Sequence, residues 1–194
     1  MKIGGRDIRI REHNVELSKF TRDRFVRMLE RIEVKKNEYL IHEGDVEQYL
    51  YFIEKGMLNL VTRDQNGENV SIWFFFEGEF CNAYKSFLMK TPSRAGVQAM
   101  TQCALWRISR ENFFEYLKSS HEAKNTAWNI MEMMFIIKLD HRILLLKYKP
   151  EERYKHFLVE EPEIAERVPL KYVASYLGMT APTLSRIRRR IMKD

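Results

Sequence analysis

Apolar positions along this chain change their period twice. From Thr21 to Leu29, Phe25, Met28 and Leu29 recur at helical spacing, which predicts a short helix with Thr21 as its N-cap ahead of Asp23. Between Ile32 and Ile108 the texture becomes one of short β-branched and aromatic runs: 38–42, 49–53, 57–61, 70–74 and 96–100. These predict strands. Glycine-bearing turns fall between them, at Glu43-Gly44-Asp45, Lys55-Gly56, Asn66-Gly67 and Glu77-Gly78. Such even punctuation is that of a β-roll or barrel, and Asn66-Gly67 is its strongest hairpin signal. The contiguous aromatics Trp73, Phe74, Phe75 and Phe76 fill a core on one face. The period-2 geometry of a strand sends alternate rings to the other face, towards a helix, another domain or a ligand.

After Ser109 the helical period returns. Ala123, Ala127, Ile130, Met134, Ile137, His141, Leu144 and Tyr148 alternate steps of four and three, a heptad seam. A helix over residues 122–147 is ~39 Å long at 1.5 Å per residue, more than a small β-roll covers, so the seam is expected to meet a second copy of the chain. The expected dimer contacts are Ala127, Ile130, Met134, Ile137, His141 and Leu144. Lys149-Pro150-Glu151 ends this helix, because proline lacks the amide donor and restricts the residue before it.

Two further prolines, Pro162 and Pro169, divide the C-terminal segment into short helices. Within 168–191, Leu170, Val173, Ala174 and Leu177 form the inner face of one helix, and Gly178 supplies the left-handed stop. Thr180 caps a second helix with Pro182 in its first turn and an inward stripe of Leu184, Ile187 and Ile191. The other side carries Thr183, Ser185, Arg186, Arg188, Arg189 and Arg190, a basic recognition face sized for a major groove. Together with Thr180 these are the expected DNA-binding residues.

Composition agrees with a packed fold: 45% of residues are hydrophobic and 31% charged. The net charge of +6 favours anionic partners, double-stranded DNA among them. Met1 to Arg11 has no signal-peptide pattern, and no run approaches the ~18 apolar residues of a membrane span. A cytoplasmic protein without a membrane partner is expected. Cys81 and Cys103 are too few for a zinc or four-cysteine iron–sulfur site. His13, His42, His121, His141 and His156 form no His-x-His or His-Glu-x-x-His pair. We therefore expect no metal, no cofactor and no enzyme, which leaves a cupin-like barrel enzyme as the remote alternative.

Several of these motifs resemble the cyclic-AMP receptor protein/FNR (Crp/Fnr) superfamily of bacterial transcription regulators. In the roll they are Tyr39-Leu-Ile-His-Glu-Gly44-Asp45, Tyr51-Phe-Ile-Glu-Lys-Gly56 and Glu77-Gly78-Glu79-Phe80; near the C-terminus, Ala174-Ser-Tyr-Leu-Gly-Met-Thr180 and Thr183-Leu-Ser-Arg-Ile187. The resemblance implies an α+β fold: an N-terminal cyclic-nucleotide-binding-like β-roll (a double-stranded β-helix), a long dimerisation helix and a small C-terminal helix-turn-helix domain. The corresponding segments are 1–121, 122–148 and 149–194. Wing strands after Ile191 are expected to be absent, while wing-like strands between the first C-terminal helices stay open.

By the same resemblance the chain is a homodimeric regulator on a near-palindromic operator, in contact with RNA polymerase. Nucleotide-binding members use a glycine-glutamate pair for the ribose and an arginine-serine pair for the cyclic phosphate. A gapless carry-over places Asn82-Ala83 and Ser93-Arg94 at these positions. Ala83 cannot accept a ribose hydroxyl, so Ala83, Ser93 and Arg94 are expected to form an effector site altered from the nucleotide-binding pattern. The effector is then an unidentified small molecule or none, with a true cyclic-nucleotide sensor as the alternative. At the start of the recognition helix Ala181-Pro182 replaces an arginine and glutamate, leaving Arg186 to read guanine through a bidentate contact.

Overall fold

The computed structural model describes residues 2–10, 13–14 and 18–191. In chain order the elements are β1 (Lys2–Ile3), β2 (Arg6–Asp7), β3 (Arg9–Ile10), β4 (His13–Asn14), α1 (Lys19–Val26), β5 (Glu30–Val34), β6 (Tyr39–Ile41), β7 (Tyr49–Lys55), β8 (Leu58–Arg63), β9 (Asn69–Phe75), β10 (Phe80–Cys81), α2 (Tyr84–Met89), β11 (Gly96–Ala99), β12 (Cys103–Ser109), α3 (Arg110–Ser119), α4 (His121–Lys147), α5 (Pro150–Glu160), α6 (Pro162–Arg167), α7 (Leu170–Tyr176) and α8 (Ala181–Ile191). They form two compact units. The first comprises the chain up to Val61 with Phe74–Met134, and the second Thr62–Trp73 with the chain from Phe135 onward. Among the described residues no helix is long and apolar enough to cross a membrane.

Two four-stranded sheets, ordered β10-β7-β12-β5 and β6-β11-β8-β9, make the roll. All five expected strands are present, with ends shifted by one or two residues. Three more strands complete the two sheets, the two-residue β10 together with β5 and β12, and these last two pair with each other from Cys103↔Val34 to Arg107↔Glu30. Their charged or short-period sequences carry no strand signal. The turn at Gly56 has φ +100, and a Cβ there would lie 2.6 Å from Cys103 Sγ, so both conformation and space demand glycine. In the first unit Ile3, Ile8, Phe25, Phe52, Ile108, Tyr116 and Ala123 build one core cluster.

The opening helix starts earlier than expected. Its N-cap is Ser18, whose Oγ accepts from Thr21 N at 3.4 Å, whereas Thr21 is buried inside the helix. The Thr21 hydroxyl instead donates to the Glu122 carboxylate, which also accepts from Ser18 N and Ser18 Oγ, both at 2.6 Å. This clip fixes α1 to the first turn of α4.

The second unit joins the tip of the β8–β9 hairpin to the C-terminal helices. At the tip Asp64 Oδ1 accepts from Asn66 N (2.8 Å) and Glu68 N (2.9 Å), and Gly67 takes φ +80. Of the four contiguous aromatics, Trp73 belongs to this unit and Phe74 to Phe76 to the other. All four are buried. Trp73 meets His141 and Tyr176 edge-on, each with ring centroids 6.2 Å apart, and Lys138 Nζ sits 4.0 Å from its ring centre. A helix is thus what the outward aromatic reaches, as strand alternation required. Between Pro150 and Ile191 the described chain is all helical, without wing-like strands. The expectation about wing strands after Ile191 falls outside the described residues.

Candidate functional site

Three regions carry the residues singled out from sequence: the α2 loop of the roll, the long helix α4 and the α7–α8 pair.

At the roll, Ala83, Ser93 and Arg94 do come together, around a cavity of about 140 Å³ that Leu60, Tyr84, Lys85 and Pro92 also line. Ala83 is buried and stands at the N-cap of α2 with no side-chain cap. Its amide is taken by a residue that no motif singles out. Glu47, 2% exposed, accepts from Ala83 N through Oε2 (3.2 Å) and from Tyr49 N through Oε1 (3.1 Å). Its own amide donates to Ser86 Oγ at 2.9 Å, and that hydroxyl donates to Thr91 O at 2.5 Å. Burial pushes the Glu47 carboxyl up, opposed by the amides that point at it. Ser93 is also self-satisfied: its hydroxyl donates to Ala95 O (2.6 Å) and accepts from Ala95 N (3.2 Å). Arg94 and Lys85 are exposed at the rim.

On α4 the residues expected at a dimer face are only partly exposed within the single chain. Of the seam, Ala123 and Leu144 are buried, while Ala127, Ile130, Met134, Ile137 and His141 are half-buried within the single chain. His141 stacks on Tyr176 with centroids 4.1 Å apart. The exposed apolar residues are instead Trp128, Phe135, Ile136, Leu139, Ile143 and Leu146, with Phe135 67% and Leu146 69% accessible. At 100° per residue this second stripe lies roughly opposite the first. α4 is apolar on both sides: 128, 135, 139 and 146 also fall on heptad positions, with Glu132 and Arg142 at the two between them.

The α7–α8 pair is built by local signals. Beyond Leu177, Gly178 takes φ +64, its amide bonds Ser175 O (3.0 Å), and Met179 N reaches Ala174 O (2.9 Å). These two bonds form a Schellman stop. Arg153, on α5, holds the corner from outside: Nη1 donates to Leu177 O (2.6 Å), and Nη2 to Leu145 O (2.8 Å) and Tyr148 O (3.0 Å). One guanidinium thereby ties the ends of α4 and α7 to α5, a role no sequence spacing announces. Thr180 Oγ1 accepts from Thr183 N (3.3 Å), the expected cap.

Leu184 and Ile187 are buried and Ile191 half-buried, as the inward stripe required. The expected basic face is more differentiated than its sequence. Arg186 and Arg189 are exposed on the side opposite that stripe, whereas Thr183 and Ser185 are half-buried. Arg188 lines an apolar groove of about 320 Å³ with Tyr154, Phe157, Leu170, Val173 and Ile191. Arg190 pairs with Glu151 at 2.7 Å. Among the described residues no group of three or more His, Cys, Asp or Glu is placed to hold a metal.

Comparison with known proteins bears on these regions unequally. The family model for the cyclic nucleotide-binding domain matches residues 31–120. The human potassium/sodium hyperpolarization-activated cyclic nucleotide-gated channel 1 (Homo sapiens) is 29% identical over 144 residues, covering 71% of this chain and 15% of the channel. This chain therefore spans about 15% of the length of the first curated relatives it matches. Solved structures match further along the chain. FixK2 from Bradyrhizobium japonicum is 19% identical with a TM-score of 0.74, covering 85% of both chains. The c-di-GMP responsive global regulator CLP of Xanthomonas campestris is 19% identical with a TM-score of 0.70, covering 91% of this chain and 93% of its own. The catabolite activator protein of Thermus thermophilus is 16% identical with a TM-score of 0.57, covering 91% and 84%. Residues 31–120 thus resemble a cyclic nucleotide-binding domain, and the mixed α+β fold of the chain is similar to the folds of FixK2, CLP and the catabolite activator protein.

Proposed function

We propose that this chain is a DNA-binding transcription regulator that acts as a homodimer, with α7 and α8 as its helix-turn-helix and α8 in the major groove. The observation that carries the reading is the placement of Arg186 and Arg189. Both stand exposed on one side of a helix whose other side, Leu184 and Ile187, is buried. Guanidinium groups in that position suit bidentate contact with guanine and charge contact with phosphate. Arg190, held by Glu151, is assigned to phosphate. Arg188, beside the apolar groove, takes the same role.

Dimerisation is assigned to the exposed stripe of α4, Trp128, Phe135, Ile136, Leu139, Ile143 and Leu146, in place of the inward seam. Six large apolar side chains on one helix face exceed what a monomer commonly leaves in water. A two-fold axis along this helix presents two copies of α8 to half-sites about one turn, ~34 Å, apart.

The effector is proposed to be something other than a cyclic nucleotide, or none. Ala83 N is spent on Glu47 and the Ser93 hydroxyl on its own loop. The cavity of about 140 Å³ is also well below the ~300 Å³ at which small-molecule pockets begin. The second reading, a cyclic-nucleotide-responsive regulator, is favoured by Lys85 and Arg94 at the cavity rim, two cations within reach of a phosphate. Titration calorimetry with cyclic AMP separates the two: submicromolar binding abolished by Arg94→Ala establishes the second.

The DNA reading is tested by in vitro selection from random duplexes followed by Arg186→Ala. The expected loss is roughly 1–3 kcal/mol on the selected site, with relaxed preference at one base pair per half-site. An equal loss on specific and non-specific DNA removes Arg186 as a base reader.

A further inference from the structure

We propose that the first turn of α8 reads thymine by its methyl group, through Ala181 and Pro182, leaving hydrogen-bonded base reading to the arginines further along the helix. The inference rests on the DNA-binding reading above and names the bases that reading selects.

Ala181 and Pro182 are both exposed, and neither side chain has a donor or acceptor. The hydroxyls beside them are engaged with each other: Thr180 Oγ1 lies 2.9 Å from Thr183 Oγ1 and accepts from Thr183 N at 3.3 Å. Even Arg186 leans on this pair, its Nη2 3.5 Å from Thr183 Oγ1. Residues 182, 185, 186 and 189 share one face by helical spacing, and the buried Leu184 and Ile187 lie on the other. From its N-terminus the outward stripe therefore runs from carbon to Ser185 to two guanidinium groups.

Four base-pair orientations present distinct patterns in the major groove, and thymine alone offers a methyl group there, at C5. A carbon surface pressed against the N4 donor of cytosine or the O6 and N7 acceptors of guanine strips their water without replacing the hydrogen bond. Against a thymine methyl the same surface loses nothing and buries one methyl group more. The stripe thus selects a thymine step next to the guanine held by Arg186. One buried methyl corresponds to about a fourfold gain in affinity.

The test begins with the full chain and its selected duplex, in which each thymine of one half-site is replaced in turn by deoxyuridine, a change that removes only the methyl group. Affinity is expected to fall about fourfold at the thymines adjoining the guanine, and about 16-fold when both half-sites are changed at one such position. Uridine elsewhere is expected to have no effect. Pro182→Glu should shift preference at that step towards cytosine, whose N4 a carboxylate accepts from, and should abolish the uridine effect. Arg186→Ala should retain it. If no uridine lowers affinity, or if sensitivity survives Pro182→Glu, or if it disappears in Arg186→Ala, the first-turn assignment is overturned while DNA binding stands. If no duplex is bound even at low salt, the DNA-binding reading itself falls.

Discussion

The α2 loop and the α8 helix are two places at which this chain is proposed to meet a charged partner, and their loop amides, hydroxyls and guanidinium groups are disposed differently. Around α2 the polar groups turn inward: Glu47 takes the amide of Ala83, Ser86 takes the amide of Glu47, and Ser93 bonds its own loop. On α8, Arg186 and Arg189 are left in solvent while the apolar residues beneath them are buried. At α2 the loop amides and hydroxyls are satisfied from within and only Lys85 and Arg94 stand exposed at the rim, whereas on α8 the outward guanidinium groups of Arg186 and Arg189 are exposed. A domain can keep the architecture of a ligand site when internal groups already satisfy its donors, because packing and backbone pairing, rather than the ligand, hold the roll together.

The largest effect that would break this contrast is loss of the proposed second copy, since in that reading an isolated α8 holds only one half-site. Phe135→Asp, on the exposed stripe, is expected to raise the dimer dissociation constant at least ~100-fold, because each copy loses about 1.5–3 kcal/mol of aromatic burial. Sedimentation velocity reads this directly, and circular dichroism should remain native. Ile137→Asp, on the half-buried side, is expected instead to unfold the helix. A folded dimer in the Phe135 variant, or a folded monomer in the Ile137 variant, would return the interface to the inward seam.

The choice between the two faces of α4 marks the point at which local patterns stop deciding. The α7–α8 pair was legible because its signals are local: Thr180 caps, Gly178 turns, and Leu184 and Ile187 keep one period. The strands of the roll were legible through glycines that punctuate them. The buried face of α4 was not, since apolar residues fall on heptad positions on both sides and only tertiary packing chooses between them. Nor was Arg153, whose three carbonyl partners at 145, 148 and 177 are brought together only by folding. Glu47 shows the same limit. A lone acidic residue in a loop carries no pattern that announces burial against the amides of Tyr49 and Ala83.

Arg153 sharpens the comparison from the α8 side, because the orientation of the arginines depends on the corner it holds. Arg153→Ala removes three charge-assisted bonds to carbonyls and is expected to cost about 2–3 kcal/mol, read as faster hydrogen exchange across 150–191 with the roll unaffected. Arg153→Lys should recover part of it. Unchanged exchange in the alanine variant would mean that water replaces the guanidinium at no cost. Gly178→Ala comes next, with a smaller effect of about 1–2 kcal/mol by thermal melting, since an alanine at φ +64 is strained. Its Cβ would lie 3.4 Å from Arg153 Nη1, in ordinary contact, so steric clash adds little.

The smallest effects belong to two carboxyls of the roll unit whose protonation should pull stability in opposite directions. Glu122, accepting from Ser18 and Thr21, is held below the usual carboxylate range by those hydrogen bonds. Its contribution is present above the unfolded value of about 4.3 and is lost as pH falls through the lower folded value. Burial raises Glu47, so the folded protein holds that proton after the unfolded chain has released it. Stability from Glu47 therefore falls as pH rises from about 4.3 to its raised folded value, and stays lower beyond. Urea denaturation from pH 3 to 7 should resolve the two. Glu122→Gln should lower stability at pH 7 and flatten the acid limb below pH 4, while Glu47→Gln should flatten the slope above it. An unchanged acid limb in Glu122→Gln would mean that the clip between α1 and α4 does not depend on charge. An unchanged slope in Glu47→Gln would mean that the two amides offset the burial of its carboxylate, and the inward-turned cassette would then hold its charge without cost.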